Sequence, residues 1–112
     1  MWSAIGREHL TGIHLHNTRG QGLANVLAAV EVGITTIDSS MGGIGGCPAA
    51  PGASGNIVTE DLVFLLEAMG LKTGIDFDRL IAARNVVAKA LPDVELYGFT
   101  PDAGLPLSSP LI

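Results

Sequence analysis

A single cysteine excludes an intrachain disulfide, and this fits a chain kept in a reducing compartment. No stretch approaches the roughly 20 apolar residues needed to span a bilayer, which excludes a transmembrane segment. Basic residues are few: 6 Lys and Arg stand against 11 Asp and Glu, for a net charge of -5. They are scattered, so no basic patch forms for a nucleic-acid backbone, and nucleic acid is excluded as a partner. Aromatic side chains make up only 4%, leaving the core to Leu, Ile, Val and Ala. The start, MWSAIGREHLTGIHLHN, lacks the charged and apolar regions of a secretory signal, so the cytoplasm is the expected location. Internal repeats and low-complexity segments are also lacking.

Apolar residues are plentiful at 47%, and glycine reaches 15 of 112 residues. The length suits one small domain. A mean hydropathy of +0.43 is high for so small a chain, since its surface should demand more polar groups. The composition therefore hints at neighbours that cover apolar surface. The chain also enters a strand-like segment within a dozen residues, almost in mid-structure.

Segment 10–16, LTGIHLH, alternates with period two. Ile13 and Leu15 face one side, while Gly12, His14 and His16 face the other. In QGLANVLAAVEVG, Leu23, Val26, Leu27 and Val30 follow helical spacing and Gly33 supplies the stop. ITTID, rich in β-branched residues, predicts a second strand, and strand, helix, strand at this spacing predicts a right-handed parallel βαβ unit. From Ser39 to Asn56 a Gly- and Pro-containing loop shows no periodicity, and loops this long inside compact domains are functional or disordered. A helix is then predicted with Thr59 as N-cap and Leu62, Leu65, Leu66 and Met69 as its buried stripe. Another is predicted after Asp76, burying Leu80, Ala83, Val87 and Leu91 and ending before Pro92. Residues 93–112 read as a poorly ordered tail. The fold class is α/β, from an α/β barrel or an open parallel sheet. An eight-fold barrel needs about 250 residues, so this chain holds only its last βα units.

Two histidines one residue apart on a strand project from one face with side chains about 6–7 Å apart, within reach of one divalent ion. The alternative is a pair of hydrogen-bonded imidazoles on a wet sheet face. Cys47, between Gly46 and Pro48, is either a reactive loop thiol or a buried inert one. Asn56 at the loop's end is an oxygen donor suited to Mg2+ or Mn2+, or an ordinary turn asparagine. Glu60 and Asp61 read as first-turn acids favourable to the helix dipole before they read as support for a metal ligand. His9 and Arg19 read as solvated. GGIGGCP breaks GxGxxG at its third glycine and has no Lys-Ser or Lys-Thr pair, which excludes a nucleotide-phosphate loop.

Taken in order, GIHLHNTRGQGLANVLAAVEVG, DSSMGGIGGCPAAPGASGN and TEDLVFLLEAMG resemble 3-hydroxy-3-methylglutaryl-CoA (HMG-CoA) lyases from about Leu10 to Leu91. The resemblance implies that residues 1–92 are the C-terminal part of a TIM (β/α)8-barrel lyase domain, a partial barrel with C-terminal helices. It implies His14, His16 and Asn56 as ligands of Mg2+ or Mn2+. Cys47 becomes the loop residue that assists proton transfer, joined by His14. The implied reaction is retro-Claisen cleavage of the acyl-CoA substrate HMG-CoA to acetoacetate and acetyl-CoA, as in leucine catabolism and ketone-body formation, in the mitochondrial matrix if the source is eukaryotic. The related isopropylmalate and homocitrate synthases share the histidines and asparagine but carry a glutamate-containing loop where this chain has Cys47. Asn17 stands where these lyases commonly have aspartate, which leaves a related acyl-CoA lyase open. The arginine and acidic ligand of the family's first strand have no counterpart in this chain. A homo-oligomer, or association with the missing barrel half, is therefore expected, and a non-catalytic assembly module is the competing reading. The isolated chain is expected to be weakly active or inactive.

Overall fold

The computed structural model describes residues 6–45 and 55–107. Strand β1 (Gly12–Ile13) pairs in parallel with β2 (Thr36–Ile37), with Gly12 opposite Thr36 and Ile13 opposite Ile37. Helix α1 (Gly22–Glu31) forms the crossover between them, as the βαβ spacing predicts. Helices α2 (Thr59–Ala68), α3 (Phe77–Ala90) and the short α4 (Thr100–Ala103) follow. Single 3-10 turns occupy Arg7–His9, Thr18–Gly20 and Met41–Gly43.

The strands are shorter than the alternation predicts. Regular pairing stops at Ile13 and Ile37, and beyond it the chain is held by bridges: His16 with Asn56, and Ser40 with Val58. The core lies where α1 and α2 meet the segment leaving the loop. Val26, Ile57 and Leu62 are buried together, with Leu15, Leu23, Val30, Ile37, Leu65 and Leu66 packed around them.

Three local expectations change. Val58, not Thr59, holds the N-cap position of α2, because the Thr59 hydroxyl lies 2.6 Å from that of Ser39 and is engaged there. Met69 is exposed, so the stripe of α2 ends one turn early. On α3, Asp76 caps the helix by accepting from Arg79 N–H at 3.0 Å, but only Leu80 of the predicted stripe is buried. Ala83 and Leu91 are exposed and Val87 is half-buried. Helical spacing correctly groups these residues on one face, and among the described residues that face is largely uncovered.

Residues 93–107, read from sequence as tail, are tied to the helices. Asp61 accepts from Phe99 N–H at 3.1–3.2 Å and from Thr100 N–H at 2.7 Å. Tyr97 N–H donates to the Gly42 carbonyl at 2.8 Å. Backbone hydrogen bonds to a buried carboxylate outweigh what Pro and Gly content alone suggests about order.

Candidate metal centre

The register of the two strands sets the first two residues of the site. With Ile13 opposite Ile37, the next residues, His14 and Asp38, leave the C-terminal ends of neighbouring parallel strands side by side. Asp38 N–H donates to the Ile13 carbonyl at 3.3 Å, which keeps the strand ends together. His14 Nδ1 lies 2.5 Å from Asp38 Oδ1. Its other ring nitrogen, Nε2, lies 3.2 Å from Nε2 of His16. The two rings meet edge to face, with centroids 5.0 Å apart and planes at 74°.

Asn56 is brought to this pair by backbone. It bridges His16 in antiparallel fashion, Asn17 N–H donates to the Gly55 carbonyl at 3.1 Å, and Ile57 N–H donates to the Leu15 carbonyl at 3.3 Å. The exit of the glycine-rich loop is thus laid along the histidine segment. The Asn56 side-chain Nδ2 donates to the carbonyls of Ile44 at 2.9 Å and Gly45 at 3.2 Å. Its Oδ1 is buried and accepts no hydrogen bond among the described residues. Turning the amide to satisfy Oδ1 would break both bonds from Nδ2. A buried acceptor left unpaired costs about 1–3 kcal/mol, and such atoms in folded proteins call for a partner such as an ion or water.

These donors suit a divalent cation. Two nitrogens each about 2.1 Å from one ion, at right angles, stand about 3.0 Å apart, close to the 3.2 Å between the two Nε2 atoms. Two imidazoles and an amide oxygen make a mixed nitrogen and oxygen donor set. Among the described residues no three His, Cys, Asp or Glu side chains are placed to hold one ion together, so the amide oxygen is the candidate for a third donor.

The other candidates take structural places. Glu60 is fully buried. Both its carboxylate oxygens accept from Gly42 N–H at 3.1 Å, and the Arg84 guanidinium donates to Oε2. Glu60 and Asp61 therefore act as cross-links to distant segments rather than as exposed dipole charges. Asn17 Oδ1 accepts from Gly22 N–H at 3.1 Å and holds the start of α1. His9 is exposed beside Glu8 at 3.5 Å, and Arg19 is exposed with a positive φ of 61°. Cys47 lies outside the described residues. Sequence reasoning missed Asp38 and Arg84. The parallel register would have pointed to Asp38, whereas nothing in the spacing of α3 singles out Arg84. An open cleft of ≈ 800 Å³ lies beside Asn56, lined also by Asn17, Gly45, Asp61, Tyr97 and Phe99.

Side chains gathered at the C-terminal ends of parallel strands, with helices packed behind, define an α/β protein whose chemistry sits at the strand ends. The family model described as HMGL-like matches residues 1–87, and the chain belongs to that family. Over 79 residues it is 51% identical to human "Hydroxymethylglutaryl-CoA lyase, mitochondrial", covering 70% of this chain and 24% of that protein. It is 49% identical to the rat "3-hydroxy-3-methylglutaryl-CoA lyase, cytoplasmic", covering 70% of this chain and 23% of the relative. An HMG-CoA lyase from Acinetobacter baumannii, solved with coenzyme A and 3-methylmalate, superposes with a TM-score of 0.82 at 48% identity. That match covers 96% of this chain and 35% of the other. The chain thus spans about a quarter of the curated relatives' length and about a third of the solved structure's.

Proposed function

We propose that this chain is the metal-binding C-terminal portion of an HMG-CoA lyase, forming the last βα units of a TIM barrel. In this reading His14, His16 and Asn56 hold one divalent ion, Mg2+ or Mn2+. The observation that carries it is the buried Oδ1 of Asn56, which has no hydrogen-bond partner among the described residues, on a residue bridged to His16. An acidic donor from the part of the relatives that this chain does not span would complete the site. Exposed apolar residues on and after α3, such as Val86 and Leu91, favour a surface that the rest of a barrel covers.

When bound, the ion supplies positive charge that holds substrate oxygens and stabilises the negative charge developing there. A base takes the proton of the substrate's tertiary hydroxyl as the carbon-carbon bond breaks, and the bond's electron pair stays with the thioester fragment, giving acetoacetate and a thioester enolate. The enolate carbon then takes a proton to give acetyl-CoA. Cys47 is the group assigned to that proton transfer, which His14 joins. Coenzyme A, bound in the Acinetobacter relative, supports an acyl-CoA as the class of substrate. The relatives' names place them in the mitochondrion or the cytoplasm, and either compartment suits this reading.

The test is HMG-CoA cleavage with Mn2+ by the purified chain, alone and complemented with the remaining two-thirds of the Acinetobacter relative. Turnover that requires both parts and falls with Cys47→Ala supports the reading. Absence of turnover in a complemented, Mn2+-loaded complex contradicts it.

A further inference from the structure

We infer that Asp38 is the positioning residue of this centre, fixing the tautomer and ring orientation of His14 so that the Nε2 lone pair faces the ion. The inference rests on the metal reading of His14, His16 and Asn56.

It starts from backbone register. Because Ile13 pairs with Ile37, His14 and Asp38 are neighbours at the ends of β1 and β2, and Asp38 Oδ1 stands 2.5 Å from His14 Nδ1. A carboxylate only accepts hydrogen bonds, so the contact requires the proton on Nδ1. A neutral imidazole has one ring proton, so Nε2 is then a bare lone pair. That same Nε2 is the atom 3.2 Å from His16 Nε2, on the side where a shared ion would sit. One carboxylate thus determines which nitrogen donates to the ion and where it points, the arrangement by which outer carboxylates orient metal-bound histidines.

The pair does little for the fold. The side chains of His14 and Asp38 are 53% and 64% exposed, and exposed pairs of this kind contribute little to stability. Asp38 also lies outside the buried cluster of Val26, Ile57 and Leu62. Replacing it should therefore leave the protein folded, so that the variant reports on the site.

The experiment compares the full chain with Asp38→Ala and Asp38→Glu, using two readouts. Long-range proton-nitrogen NMR on metal-free, 15N-labelled protein, at a pH where imidazoles are neutral, reports the His14 tautomer. Titration with Mn2+ alone, followed by the loss of the free-ion paramagnetic resonance signal, reports affinity. The expected result is an Nδ1-protonated His14 in the wild type and an Nε2-protonated one in Asp38→Ala. Mn2+ affinity should fall about 10–100-fold in Asp38→Ala, with partial recovery in Asp38→Glu. A His14 tautomer that does not respond to Asp38 overturns the positioning role and leaves the metal reading standing. A tautomer switch with no Mn2+ bound by any of the proteins overturns the metal reading, and the positioning role with it.

Discussion

Arg84, near the middle of α3, reaches the fully buried carboxylate of Glu60 in the first turn of α2 and also donates to the Tyr97 carbonyl at 2.7 Å. Glu60 in turn accepts from Gly42 N–H, at the entrance to the glycine-rich loop. One ion pair therefore joins two helices, the segment after them and the base of the loop. The turn at Met41–Gly43 is held firmly on one side of the loop, and Asn56 is held on the other.

Removing the cation leaves a buried charge without its partner, which costs about 3–5 kcal/mol. Arg84→Met should lower unfolding free energy by that amount in a urea titration. A loss below about 1 kcal/mol would show that Glu60 is satisfied by Gly42 alone.

Gly42 has a φ of 64°, and a Cβ added there would stand 2.8 Å from Leu96 Cδ2. A left-handed backbone costs an alanine about 1–2 kcal/mol, and the Leu96 side chain must also move. Gly42→Ala should lower the melting temperature, and adding Leu96→Ala should relieve the steric part without removing the backbone part. Equal melting temperatures for Gly42→Ala and wild type would contradict this account of the turn.

Asp61 anchors the start of α4 through Phe99 and Thr100 N–H. Asp61→Ala should cost about 1 kcal/mol, in the range of a lost N-cap. It should also speed amide hydrogen exchange at Phe99 and Thr100. Unchanged exchange at those two amides would show that other contacts hold the segment.

Glu67 accepts from Thr73 N–H at 3.0 Å and from the Thr73 hydroxyl at 2.8 Å. These bonds, the backbone one first, hold its carboxyl below the ordinary range, aided by Lys72. A depressed folded-state value stabilises the fold above the ordinary carboxylate range, and this contribution is lost as pH falls through the depressed value. Stability measured by urea from about pH 5 down to pH 3 should therefore fall less steeply in Thr73→Val. Identical slopes would remove the Thr73 hydroxyl from the pH response.

Much of the fold was legible from periodicity and turn chemistry. Helical spacing located α1, α2 and α3, and alternation placed His14 and His16 on one strand-like segment. The limits have physical causes. Thr59 has a good capping side chain, but tertiary pairing with Ser39 takes the hydroxyl elsewhere. Leu91 has core chemistry yet stands 45% exposed, since spacing reports which face is apolar and not what covers it. Asp38 and Arg84 escaped because their roles arise from strand register and from a contact 24 residues away, neither of which local pattern encodes.

The central claim is that His14, His16 and Asn56 hold one divalent ion, and Mn2+ titration of wild-type and His16→Ala chains tests it most directly. Wild type should take up one Mn2+ per chain with saturation, and His16→Ala should bind at least about tenfold more weakly, since a ligand is lost where even supporting residues cost 10–100-fold. Equal affinity in the two proteins, or no saturable binding by the wild type, would contradict it.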